Sequence, residues 1–334
     1  MGDVAMIVPI LRVFSETYPE VKLTVVSRAF FKPFFEDIKN VNFLEAEVEG
    51  KHKGFFGLLK LSKEAKSLEI DAVADLHNVI RSKIITKCLW FLGKKTATVN
   101  KGRVEKKALT RETNKVFKQL KTTHQRYADV FEKLGYPLDL SSFNPLPRKN
   151  FNQKLQELVG IEPRKIIGIA PFAAYKSKMY PLGLMREVIS TLDKTQEYHI
   201  VLFGGGKAEI EQLNSIENDF SSVKNAAGKL NFKEELALIS NLDLMLSMDS
   251  GNGHLAALYG IPVITLWGVT HPFAGFVPFG QSIENCITAD REKFPLVPTS
   301  IYGNKFPEGY EDSIKSISSQ KIIDKLVITL QNKS

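Results

Sequence analysis

Short runs rich in β-branched residues alternate with amphipathic helical stretches along nearly the whole chain, and this rhythm restricts the fold more than any other feature. Residues 21–27 (VKLTVVS), 72–76 (AVADL) and 96–99 read as strands. So do residues 165–170 (KIIGIA), 198–203 (YHIVLF), 242–247 and 262–267. Between them, residues 79–91, 124–134, 184–192, 208–216 and 232–240 read as helices. Gly135 supplies a C-terminal stop for the helix before it. Strands alternating with helices predict an α/β fold with mostly parallel sheets covered on both faces. Residues 139–152 are polar and broken by Pro145 and Pro147, which marks a linker. The linker divides the chain into an N-terminal domain over residues 1–145 and a C-terminal domain over residues 155–330. Two such domains predict a cleft, with ligands beyond the carboxyl ends of the strands.

A chain of 334 residues suits two domains, each able to bury its own core. No run of about 18 apolar residues exists, so no transmembrane helix is expected. Residues 4–11 form the longest apolar run near the start, contain Pro9, and lack the basic leader of a secretory signal. A cytoplasmic location is therefore expected. Cys88 and Cys286 stand far apart in apolar surroundings and read as buried small hydrophobes. No zinc spacing and no Asp-x-Asp pair occurs, so neither a metal nor another cofactor is expected. The net charge of +8 favours anionic partners. Its cations concentrate over residues 51–121, without any nucleic-acid-binding signature.

Four strand ends carry candidate chemistry. After the strand ending at Met248, Asp249-Ser250-Gly251-Asn252-Gly253 makes a polar turn, with a helix beginning near His254. The amides of a helix N-terminus suit a phosphate, and the glycines permit close approach. The plainer alternative is that Asp249 and Ser250 only cap that helix. A second polar turn, Gly268-Val269-Thr270-His271-Pro272, follows the next strand and favours one shared site. After residue 170, Lys176 and Lys178 sit where a lysine could neutralise a diphosphate. Asp3, beside Gly2, is a candidate general base, although from this segment alone an N-cap aspartate accounts for it better. Arg81, in the stretch Asp75-Leu76-His77-Asn78-Val79-Ile80-Arg81-Ser82, suits an anionic acceptor, and a surface or inter-helix arginine accounts for it equally well. Gly204-Gly205-Gly206 is not a dinucleotide fingerprint in a first βα unit, and His52, His124 and His199 lack ligand spacing. Gly2-Asp3 reads as a strand-to-helix loop with no strand before it, so Met1 is expected to be an internal methionine of a longer chain.

These segments together resemble the lipopolysaccharide heptosyltransferases, glycosyltransferase family nine. The resemblance runs from Gly2 to about Gly280 and is most specific in GDVAM at Gly2 and in MDSGNGHLAALYGIPVITLWGVTHP at Met248. It implies GT-B architecture: two Rossmann-like domains, the acceptor on the first and an ADP-sugar donor on the second. The implied reaction moves a heptose, with inversion, to the inner core of a lipid A-linked oligosaccharide, with peripheral contact with the inner membrane. By resemblance, Asp3 is the general base. Lys178, Asp249, Ser250, Gly251, His254 and Thr270 surround the donor, while Arg81 and Ser82 face the acceptor. Ser250 stands where the family has threonine, and Tyr180 where it has tryptophan. Two rival readings remain: a nucleotide-sugar epimerase of the same architecture, and a binding protein without turnover.

Overall fold

The structure, a computed structural model, describes residues 1–332. The chain forms two compact units. The first holds Met1, Asp3–Arg103 and Lys121–Asn144; the second holds Gly2, Val104–Leu120 and, among the described residues, 145–332. Residues 104–120, which the linker position assigns to the N-terminal domain, thus group with the second unit. The cause is apolar: Leu109 and Leu120 are buried with Ala274, and Phe117, Phe273 and Phe276 pack around them.

In the first unit, α1 (Gly2–Ala5) and α2 (Val8–Thr17) precede β1 (Leu23–Ser27) and β2 (Val41–Glu45). Then come α3 (Gly54–Lys66), β3 (Ala72–Asp75), α4 (Ile80–Phe91) and β4 (Lys95–Thr98). The strands form two separate parallel pairs, β1 with β2 and β3 with β4. The next helix, α5 (Arg103–Thr110), starts the stretch that joins the second unit. The chain returns in α6 (Thr123–Leu134), where Thr122 Oγ1 accepts from Gln125 N at the start. Gly135, at φ +103°, closes that helix as its sequence position predicts. Phe14 of α2 packs on Phe131 of α6 with ring centroids 4.8 Å apart.

In the second unit, α7 (Gln153–Val159) leads into β5 (Lys165–Ala170), α8 (Leu182–Thr195), β6 (Tyr198–Leu202) and α9 (Lys207–Asp219). β7 (Val223–Asn225), α10 (Phe232–Ser240), β8 (Leu244–Met248) and α11 (Gly251–Leu258) follow. β9 (Val263–Trp267), β10 (Cys286–Thr288) and α12 (Ser319–Gln331) complete it. All six strands are parallel, in the order β10-β9-β8-β5-β6-β7. β6, β8 and β9 are buried along their whole length, which explains why they read as unbroken apolar runs. The winding reverses between β5 and β8, the switch point at which open α/β sheets bind ligands.

Among the described residues, no helix is long and apolar enough to cross a membrane. Cys88 and Cys286 are free thiols, and both are half-buried where full burial is expected from the sequence. Cys286 Sγ accepts from Thr265 Oγ1 at 3.3 Å, and burial raises its pKa.

Candidate active site

The carboxyl ends of β5, β8 and β9 bring three sequence-distant turns of the second unit together. Asp249 follows β8 and is buried. Its Oδ2 accepts from Thr270 Oγ1 at 3.0 Å and lies 2.8 Å from Lys178 Nζ. Lys178 belongs to the turn after β5 and Thr270 to the turn after β9, so one carboxylate ties all three loops. An ammonium carries three donors, and Asp249 does not exhaust them. The cation is thereby held at the switch point rather than swinging in solvent.

Lys178 is also fixed from behind. Ser177 Oγ donates to Gly303 O at 2.6 Å, and Gly303 sits at φ +87°. A Cβ at residue 303 would lie 2.6 Å from Lys178 Cδ, so only glycine leaves room for the lysine stem. Two residues on, Tyr180 donates its backbone N–H to Met248 Sδ at 3.2 Å and its hydroxyl to Ile317 O at 2.8 Å. Tyr180 is fully buried, which pushes its pKa up to about 12 and keeps it neutral. It acts as a strut beneath the lysine turn. Gly268 packs as closely: a Cβ there would fall 2.5 Å from Ser177 O.

Helix α11 begins at Gly251, three residues before the position expected from the sequence. Ser250 is its N-cap residue but makes no side-chain cap hydrogen bond; its Oγ meets Ser247 Oγ at 3.1 Å. Asp249 is turned to Lys178 and Thr270. The plain capping explanation of these two residues therefore fails, and the first-turn amides of α11, which a helix cannot satisfy internally, are left for another acceptor. Asn252 Oδ1 is buried without a hydrogen-bond partner among the described residues. His254 lies buried on the same turn.

The turn after β9 is clamped by the stretch that joins from residue 104. Leu120 N donates to Phe273 O at 2.9 Å. Lys115 Nζ donates to Leu296 O and Pro298 O, each at 2.6 Å. Arg291 lies over the Phe117 ring at 3.6 Å, and Lys106 over Phe276 at 4.1 Å. Burial, with Arg291 nearby, lowers Lys115 to about 8. Burial also lowers His271 to about 4, so its Nδ1 stays free to accept from Phe273 N. In the sequence Lys106 and Lys115 are simply part of the cation-rich run over residues 51–121; the fold shows that they serve as clamps.

The remaining candidates lie in the first unit. Asp3 is in the first turn of α1, not in a loop, and its carboxylate is exposed. His77 Nε2 stands 4.0 Å from Asp3 Oδ2. The loop presenting His77 is set by Asp75, whose Oδ1 accepts from His77 N and Asn78 N. Asn78, at φ +48°, donates Nδ2 to Val99 O at 2.7 Å. Desolvation lowers the His77 pKa, partly offset by Asp3. Arg81 is exposed on the first turn of α4, whereas the Ser82 hydroxyl accepts from Val79 N and donates back to Val79 O at the helix start. His77 sits within a stretch singled out in the sequence, yet nothing there shows its proximity to Asp3, about 70 residues earlier.

Glu209 was also outside the sequence reading. It opens α9 behind Gly204-Gly205-Gly206, and its Oε2 accepts from Gly205 N at 2.7 Å. A shallow hollow of about 330 Å³ lies elsewhere, near residues 160–166 and His199 at the amino-terminal ends of β5 and β6, away from all these turns.

Residues 58–303, more than half of the chain, match the family model described as "Glycosyltransferase family 9 (heptosyltransferase)". Lipooligosaccharide heptosyltransferase 2 of Campylobacter jejuni is 24% identical, over 99% of this chain and 96% of its own length. A glycosyl transferase family 9 structure from Veillonella parvula superposes with a TM-score of 0.77 at 19% identity, covering 99% of this chain and 95% of that one. The ADP-heptose lipopolysaccharide heptosyltransferase II of E. coli gives 0.70 at 20% identity, with 99% and 96% covered. At these identities the structures establish a likeness of fold, which is the GT-B architecture expected from the sequence.

Proposed function

The chain belongs to glycosyltransferase family 9, the heptosyltransferases, and on that premise we propose that it moves a heptose from an ADP-sugar to the inner core of lipopolysaccharide with inversion. The observation that carries the donor half is the Lys178–Asp249–Thr270 knot at the switch point of the six-stranded sheet. The lysine ammonium and the open amides of α11 are both placed to take the charge that develops on a departing nucleoside diphosphate. Asp249 orients the lysine, Thr270 fixes Asp249, and Ser250, Gly251 and His254 shape the turn on which the donor rests. No metal or other cofactor is needed in this scheme, because ammonium and helix terminus supply the positive charge.

Asp3 is the proposed general base: an exposed carboxylate able to take the proton of an acceptor hydroxyl as that oxygen attacks the anomeric carbon. Arg81 is the proposed acceptor anchor, and Ser82 holds the helix end from which Arg81 projects. The acceptor is a lipid-linked anionic oligosaccharide, which places the enzyme in the cytoplasm in peripheral contact with the inner membrane. The rival epimerase and binding-protein readings lack such support, since the family match favours transfer.

Calorimetry with ADP, UDP and GDP, repeated on Lys178→Ala, tests the donor half. ADP is expected to bind best, and the variant to bind it roughly 10- to 100-fold more weakly, the loss of one charge-assisted contact. Preference for another base would remove the ADP-sugar. Asp3→Asn is expected to cut heptose transfer at least ~100-fold while ADP affinity stays level. Unchanged turnover would take Asp3 out of the reaction.

A further inference from the structure

We propose that the outward faces of α3 and α4 form a docking surface for an anionic lipid bilayer. The inference deepens the peripheral membrane contact just proposed by assigning it to named residues. Four aromatic side chains of α3 and α4 are left in solvent: Phe56 is 82% exposed, Phe91 78%, and Phe55 and Trp90 57% each. Each helix is firmly seated on its other side, through Leu58, Leu61 and Ala65 of α3 and through Thr86 and Leu89 of α4. The exposed rings are therefore not the by-product of a loose helix.

The two helices lie against each other, so their outward faces adjoin. Helical spacing places Phe56, Lys60 and Lys63 on one face of α3, and Lys83, Lys87 and Phe91 on one face of α4. All six are exposed. The rings come in neighbouring pairs, with centroids 5.8 Å apart for Phe55–Phe56 and 4.9 Å for Trp90–Phe91.

Charge selects the occupant. Residues 76–104 contain Arg81, Lys83, Lys87, Lys94, Lys95, Lys101 and Arg103 but no Asp or Glu. On α3 the one carboxylate, Glu64, is taken by His52 Nε2 at 3.2 Å and by Lys51. Aromatic rings alone would also suit a protein partner, but lysines are depleted from the centres of protein interfaces. They suit a bilayer surface, where rings enter the headgroup boundary and each lysine near anionic lipid contributes about 1 kcal/mol.

The test is flotation of the full chain with vesicles of phosphatidylglycerol and phosphatidylethanolamine, against phosphatidylcholine alone. The two tryptophans make the contact directly visible, because Trp267 is buried and Trp90 is not. Binding to anionic vesicles should shift Trp90 emission to the blue and expose it to brominated-lipid quenching. Phe56→Ser with Phe91→Ser should weaken binding at least ~10-fold, and Lys60→Glu, Lys63→Glu, Lys83→Glu and Lys87→Glu together by ~100-fold or more. These positions are exposed, and unchanged melting temperatures would show that the variants fold. The proposal is overturned by absence of vesicle binding, by equal binding of wild type and both variants, or by lysine-dependent binding with no Trp90 response. It is also overturned if sizing shows that wild type self-associates and the phenylalanine variant does not, since a second copy would then cover the face. ADP affinity measured alongside separates the two readings: vesicle binding without ADP binding would strike at the transferase and leave this surface standing.

Discussion

At the scale of single residues, the site depends on side chains that the reaction itself never touches. Gly303 leaves the volume in which the Lys178 stem lies. Gly303→Ala adds a strained left-handed residue and pushes the lysine away from Asp249. A rise in KM for the donor of about 10-fold or more is expected, with the acceptor KM unchanged. Equal effects on both substrates would show general misfolding instead. Half-buried Glu235 and buried His271 give a second prediction. Burial raises Glu235 on α10 from 4.5 to about 7. Between those values the folded chain keeps a proton that the unfolded chain releases, so this contribution grows as pH falls and is lost as pH rises to 7. His271, lowered from 6.5 to about 4, acts in the opposite sense, losing stability as pH falls below 6.5. The two slopes oppose each other between pH 4.5 and 6.5. Glu235→Gln should therefore be more stable than wild type above pH 7, by up to about 3 kcal/mol, with the gap closing towards pH 4.5. Urea unfolding at a series of pH values reads this directly, and a gap independent of pH would remove Glu235 as its source.

At the scale of elements, the sequence was legible where a local rule applies and silent where geometry is non-local. The buried strands of the second unit and the Gly135 stop follow from composition and backbone chemistry. β7 and β10, three residues each, are too short for periodicity to register, and sheet pairing alone defines them. Of the candidate site, the turn sequences were readable, but the carboxylate linking three loops was not, because residues 178, 249 and 270 meet only through sheet order. Ser82 shows the converse: a residue picked out by resemblance proves to be tied to its helix start. Ser82→Ala should lower the unfolding free energy by about 1 kcal/mol through loss of that reciprocal cap. If acceptor KM rises with no loss of stability, the hydroxyl binds substrate after all.

For the whole molecule, the alternation of strands and helices sufficed to anticipate α/β architecture, yet not the excursion of residues 104–120. That stretch carries five cations among polar residues, and nothing in its pattern announces that Leu109, Phe117 and Leu120 complete another unit's core. Because it does, the second unit is discontinuous in sequence. Exchanging donor halves between relatives by joining them at the linker would leave the incoming sheet facing a foreign 104–120 stretch, with Lys115 and Phe117 replaced by whatever the other parent carries. Chimaeras that bring residues 104–120 along with the second unit should retain a cooperative melt and donor affinity, while those cut only at residue 145 should lose both. Recombination within this family, in the laboratory or in genomes, is thus constrained to move two pieces of chain together.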